Sequence, residues 1–301
     1  MPALVTTLRS LLEQADEYFW AGRLSVARKQ YDTLLERSQE TADKAMEVIA
    51  RSMLARYHIK RREYDDAGDE LSVASRILDP NHLESHGRYR AVLARLAMAE
   101  SGPQVGHAEM LSYLHWAEDV RAGTEIVDAA LLLAHHSDDA DDTIDWLEHA
   151  IDAALAHNVS TPLPGAYNAL AVHLDQTGRS EDGLEAYQQA LVWERKSENK
   201  RRIIAACWAV GSAACRDGDW PLGRDRLEEA VEAAEGADDC ADYLALSLSD
   251  LAQVYAAAGD VIEARRLMIR SMALADEQGF EAFWPERMRS MRDFSAKLDK
   301  L

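Results

Sequence analysis

Residues Tyr167–Leu191, YNALAVHLDQTGRSEDGLEAYQQAL, return in register as Cys207–Val231, CWAVGSAACRDGDWPLGRDRLEEAV, and again as Leu248–Met272, LSDLAQVYAAAGDVIEARRLMIRSM. Each copy carries an apolar run with helical spacing into a glycine, after which a second amphipathic run begins. The glycines are Gly178, Gly218 and Gly259, spaced by 40 and 41 residues. A step of 40 towards the N-terminus reaches Asp138 in HHSDDADD, a step of 36 reaches Gly102 in ESGPQVG, and two more of 40 reach Arg62 in KRREYDD and Gly22 in WAGRLS. Turns near 22, 62, 102, 138, 178, 218 and 259 thus divide the chain into about seven helix–turn–helix units.

Side-chain size follows the same register. Five residues after the turn stand Ala27, Ala67, Gly183, Gly223 and Ala264; nine after it stand Tyr31, Leu71, Leu147, Tyr187, Leu227 and Met268. Small residues return at Ala74, Ala150, Ala190, Ala230 and Ser271, and large-small pairs precede the turn at Leu54-Ala55, Leu170-Ala171, Val210-Gly211 and Leu251-Ala252. Two antiparallel helices joined by a tight turn need small residues where their axes cross and large ones in the gaps. A glycine at the turn takes the left-handed conformation that ends the first helix.

This small-large-small pattern around a helix–turn–helix resembles the tetratricopeptide repeat, over roughly residues 8–278. The period is longer than the usual repeat of about 34 residues. Arrays resembling kinesin light chains and the bacterial Rap and MalT-like regulators share that longer unit. HEAT and armadillo repeats have a similar period and stand as the alternative. The resemblance implies an all-α, right-handed superhelical solenoid over residues 1–280. Residues 281–301 follow as a capping or interaction helix, with the stripe Trp284, Met288, Met291, Phe294, Leu298 and Leu301 as its apolar side.

Composition narrows the function classes. Ala, Leu, Glu and Arg dominate, with only 15 Gly and 7 Pro in 301 residues, which favours helix. The formal net charge of −20 opposes binding to nucleic acid or an acidic membrane surface. No long apolar run and no leader pattern occur, and Cys207, Cys215 and Cys240 form no metal or disulfide spacing, so a cytoplasmic protein with buried reduced thiols is expected. Arg outnumbers Lys 26 to 7, a bias that points to a bacterial source.

The chemistry-bearing segments are few. His135-His136-Ser137-Asp138-Asp139-Ala140-Asp141-Asp142 lacks calcium-loop spacing and reads as an acidic turn with N-caps for the next helix. Nine of the ten histidines lie between His82 and His173 without chelating spacing. No nucleophile, zinc or phosphate-loop motif is present, so no enzyme, metal or cofactor is expected.

The resemblance places the first helix of each unit on the concave face, where Arg56, Asn168, Val172, Trp208, Ser212, Asp250 and Gln253 fall at exposed positions. An exposed Trp beside amide side chains suits a peptide backbone. The Lys/Arg/Asn set with which related domains clamp a terminal carboxylate is missing from Asn168, Val172 and their successors. The expected role is a non-enzymatic scaffold binding a peptide or protein segment in the groove. The alternative is a regulator that responds to a peptide or metabolite by changing curvature. The C-terminal helix offers a route to homo-oligomers.

Overall fold

The computed structural model describes residues 7–237 and 239–301, so the first six residues of the predicted array lie outside the described part. Within it the chain is all helix and turn. Fourteen of the helices pack as seven consecutive pairs. These are α1 (Leu8–Trp20) with α2 (Leu24–Glu40), α3 (Lys44–Arg61) with α4 (Tyr64–Ile77), α5 (Leu83–Ser101) with α6 (Pro103–Asp119), and α7 (Gly123–His136) with α8 (Ala140–Ala156). The series continues with α9 (Leu163–Gln176) and α10 (Ser180–Ser197), α11 (Lys200–Asp217) and α12 (Trp220–Glu235), and α13 (Ala241–Ala257) and α14 (Val261–Glu277). A short α15 (Phe280–Phe283) and α16 (Pro285–Leu298) follow. The chain divides into two compact units, one ending at Val159 and holding four pairs, the other starting at Ser160 and holding three pairs with α15 and α16.

The turns inside the pairs solve one problem in three ways. Gly22, Gly178, Gly218 and Gly259 have φ between 73° and 86°, and a side chain on any of them would meet open space, so glycine is used for backbone freedom. Arg62 takes the same left-handed conformation at φ 62°, at a cost of about 1 kcal/mol. Gly102 instead has φ 87° and ψ −178°, a region open only to glycine, because the following Pro103 bars a helical residue before it. The turn at Ser137–Asp139 has no positive φ; Asp139 accepts from the backbone N–H groups of Asp141 (2.9 Å) and Asp142 (3.0 Å), which confirms the capping reading of that acidic run.

The small positions are where the helices touch. Ala27, Ala67, Ala74, Ala150, Ala230 and Ala264 are fully buried, and so are Tyr31 and Leu227 among the large ones. Each such large apolar side chain contributes about 1.5–3 kcal/mol relative to exposure. In the sixth pair glycines permit a close approach. A Cβ on Gly211 would stand 2.7 Å from Leu227 Cγ and 3.1 Å from the Gly223 carbonyl, and one on Gly223 would collide with Cys215 Sγ.

Helix α16 lies against α14, burying Met288, Met291 and Leu298, while Arg265 donates twice to the Leu298 carbonyl (3.0 and 2.6 Å). The apolar stripe is thus spent within the chain along most of its length. Trp284 and Leu301, also part of the expected stripe, remain exposed.

Candidate functional site

The face predicted for a partner is formed in the second unit by helical spacing. Asn168 and Val172 sit four apart on α9, and Trp208, Ser212 and Arg216 sit four apart on α11, so each set shares one side of its helix. They line a cavity of about 450 Å³ together with Tyr187, Leu246, Trp284 and Arg287. Asn168 is exposed and Val172, Trp208 and Ser212 are half-buried, as a binding wall requires.

Trp208 is fixed in place. Its indole N–H donates to Asp250 Oδ2 at 3.0 Å, and its ring meets Tyr243 at 6.0 Å between centroids. Asp250 corrects one expectation: it is 4% exposed and presents nothing to a partner. Its carboxylate also accepts from the Gln253 amide (3.3 Å) and from the Arg287 guanidinium, so it is the anchor beneath the cavity. Gln253 lines a separate cavity of about 350 Å³ with residues of α16, including Glu286, Arg289 and Lys297. Arg56 lies in the first unit, apart from the other six residues.

Two cations reach the Trp208 cavity that the concave-face pattern did not include. Arg216 pairs with Asp175 at 2.5 Å and donates to Ser212 Oγ at 3.2 Å, and Arg287 pairs with Asp250. Arg216 was legible as the next i+4 step after Ser212. Arg287 was not, because its position depends on how α16 folds back. Both charges are matched by carboxylates, so the cavity holds no spare cation for a carboxylate clamp. One donor is left over, since Arg287 Nε–H is buried without a hydrogen-bond partner among the described residues.

Residues 202–277 match the family model of the tetratricopeptide repeat. Over those residues, about a quarter of the chain, the sequence carries the tetratricopeptide repeat. No curated protein sequence matches it. Among solved structures it is similar to a signal transduction ATPase with numerous domains, bearing a tetratricopeptide repeat sensor, from Pyrococcus horikoshii, with a TM-score of 0.71 at 16% identity. That likeness covers 94% of this chain and 44% of the other, so this chain spans less than half the length of the archaeal protein. It is also similar to the apo form of RapI, with a TM-score of 0.69 at 11% identity over 90% of this chain and 77% of that one. A third likeness is to the apo form of the quorum sensor NprR from B. thuringiensis, with a TM-score of 0.57 at 14% identity over 96% and 81% of the two chains. At such identities these likenesses establish the fold.

The remaining chemistry among the described residues is sparse. His58, the one histidine outside the 82–173 cluster, has Nδ1 2.8 Å from Glu63 Oε2 and 4.0 Å from Asp66 Oδ2 at the turn after α3. These three are the His/carboxylate set among the described residues whose ligand atoms lie close enough to share a metal ion. Glu63 is already held by Arg61 at 2.7 Å, and Arg61 and His58 keep its carboxyl below the usual range. His135 and His136 pack edge to face at 4.9 Å without such partners. The cysteines are free; burial pushes the Cys207 thiol up to about 12 and the Cys215 thiol up to about 11. Cys215 is only half-buried, against the expectation that all three are enclosed. No helix among the described residues is long and apolar enough to cross a membrane.

Proposed function

We propose that the chain is a non-enzymatic scaffold whose second unit holds a peptide or protein segment against Trp208, Asn168, Val172 and Ser212. The carrying observation is the rigid setting of Trp208. Asp250 pins the indole from below, while the half-buried ring faces a cavity large enough for one or two side chains. An aromatic ring held in one position contributes contact area at little cost in conformational entropy. The Asn168 amide can pair with a passing backbone, and a carbonyl of that backbone would satisfy the orphan Arg287 Nε–H. The balanced charges of Arg216 and Arg287 favour an uncharged segment over a terminal carboxylate.

The test is affinity capture from the source lysate with the wild-type chain and with Trp208→Ala/Asn168→Ala, read by mass spectrometry. Loss of a specific partner in the double variant supports the groove; an unchanged partner set would remove it from consideration.

A second reading, a peptide- or metabolite-responsive regulator, is favoured by one feature. Trp284 and Arg287, at the start of α16, form part of the cavity wall, so an occupant bears directly on a terminal helix. The sensors among the structurally similar proteins fit this reading. Hydrogen exchange of the full chain with and without the captured partner decides it, since a pure scaffold changes protection only in the helices that line the cavity, whereas a regulator changes it in the first unit as well.

A further inference from the structure

The first unit contains a cavity of about 490 Å³ walled by the first helices of three consecutive repeats, α3, α5 and α7. Its polar lining is Arg56, Lys60, Arg95, His135 and His136, against a single carboxylate, Asp128. Its floor is apolar, with Ile59, Met98, Leu131 and Leu132. Three permanent cations around one acid is a local reversal in a chain whose formal net charge is −20.

Of the three cations, only Arg95 is paired among the described residues. Arg95 contacts Asp128 at 3.3 Å and donates to the Ala91 carbonyl at 2.8 Å. Arg56 makes no hydrogen bond or ion pair among the described residues, although Asp128 is near enough to act on its charge. Its Cζ stands 4.6 Å over the Trp20 ring and 5.4 Å from the Phe19 ring, contacts that spend none of its N–H donors. Lys60 rests over Phe19 at 5.2 Å and is likewise unpaired. Burial and the neighbouring Arg95 push the Arg56 pKa down to about 10, which still leaves it charged at neutral pH. A second cavity on the other side of Arg56 carries Asp16, Glu84, Glu125 and Asp128 with Arg9 and Arg88. There Arg9 is bonded to Glu84 and Arg88 to Asp16, and no carboxylate bonds Arg56.

A half-buried guanidinium without a counter-ion is costly to maintain, and an anion between Arg56, Lys60 and Arg95 would relieve that cost. We infer that this cavity is a binding site for a small organic anion, an oxyanion head on an apolar body, with the head against Arg56 and Lys60 and the body on Met98, Leu131 and Leu132. The volume falls within the range of small-molecule sites. Carboxylate and phosphate monoester share this chemistry. The overall negative charge does not forbid it, because at physiological ionic strength fields fade over about 8 Å and the nearby cations dominate. The site is independent of the Trp208 groove.

Isothermal titration of the full chain with phenyl phosphate, 4-phenylbutyrate, inorganic phosphate and neutral 4-phenylbutanol tests it. One or both aromatic anions should bind saturably, the stronger naming the head group, and the alcohol and inorganic phosphate at least about tenfold more weakly. Arg56→Gln and Lys60→Gln should each weaken binding about tenfold, as expected for losing a charged hydrogen bond. Lys60 is exposed, so its variant leaves the fold intact, and Trp208→Ala should leave anion binding unchanged while abolishing capture of the groove's partner. The inference falls if neither anion binds, if the alcohol or inorganic phosphate binds as tightly, or if both cation variants retain wild-type affinity.

Discussion

The cavity around Trp208 and the cavity around Arg56 are built from the same materials, an aromatic ring and arginines. They settle their charges in opposite ways. In the second unit Arg216 is matched by Asp175, and Arg287 by Asp250, which also holds the Trp208 indole. In the first unit Arg56 leans on Trp20 and Lys60 on Phe19, and of the cations around that cavity Arg95 alone is ion-paired among the described residues. Internal pairing makes a rigid, nearly neutral wall suited to an uncharged segment. Unpaired cations make a wall that is completed by an anion.

The largest expected effect tests whether Asp250 is the internal counter-ion. Asp250→Ala leaves the Trp208 N–H and the Arg287 guanidinium without their acceptor and should destabilise the second unit by about 3 kcal/mol in urea unfolding. Asp128→Ala should cost less, about 1 kcal/mol, because the Asp128 side chain is 41% exposed and its contact with Arg95 is long at 3.3 Å. Equal losses at the two sites would erase the contrast. Next in size is Gly211→Val, which drives a side chain into Leu227 and the Gly223 carbonyl. An overpacking cost of about 2 kcal/mol is expected in the same assay, and the displaced α11 should shift Trp208 fluorescence.

A smaller effect sharpens the anion side of the comparison. Asp128→Asn removes the only acid from the Arg56 cavity and should tighten phenyl phosphate binding about threefold, as read by titration calorimetry. The smallest effect concerns pH. Burial lowers the His136 pKa, with His135 and Arg95 adding to it, and burial likewise lowers that of His86 against the raising effect of the Pro80 carbonyl. A histidine with a depressed folded pKa stabilises the fold above its ordinary value of 6.5, and that contribution is lost as pH falls from there through the folded value. Hydrogen exchange from pH 7 to 5.5 should therefore show the first unit loosening before the second. In the second unit the depressed groups are carboxylates. Glu229 is lowered because bonds from Arg195 and Arg226 outweigh its burial, and Glu263 chiefly by Arg266, so losses there begin only near ordinary carboxylate values.

Much of the fold was legible because it rests on local chemistry. The glycines at 22, 178, 218 and 259 and the small residues five positions later repeat the same steric demand, and the helices form where that demand places them. The breaks between repeats were less visible. Ala42, Arg121, Asn158 and Glu198 adopt left-handed conformations with no glycine to announce them. The third and fourth repeats depart from the small-residue pattern at one position. Seven residues before the turn, where other repeats carry Ala55, Ala171, Gly211 or Ala252, they carry Arg95 and Leu131, and both of these line the Arg56 cavity.

The candidate sites divide along the same line. Trp208, Asn168, Val172 and Ser212 line one cavity, and their helical spacing is readable in the sequence. Sequence alone therefore determined the repeat, its helices, and which residues share a side of each helix, since these depend on neighbours three or four positions away. Only the tertiary structure decided which charges meet. Trp208 reaches Asp250 across 42 residues and Arg287 reaches it across 37, while Arg56 finds Trp20 and no carboxylate. Hydrogen bonds and ion pairs act over a few ångströms, so whether an arginine is satisfied or left for a ligand depends on how whole helices are set against one another.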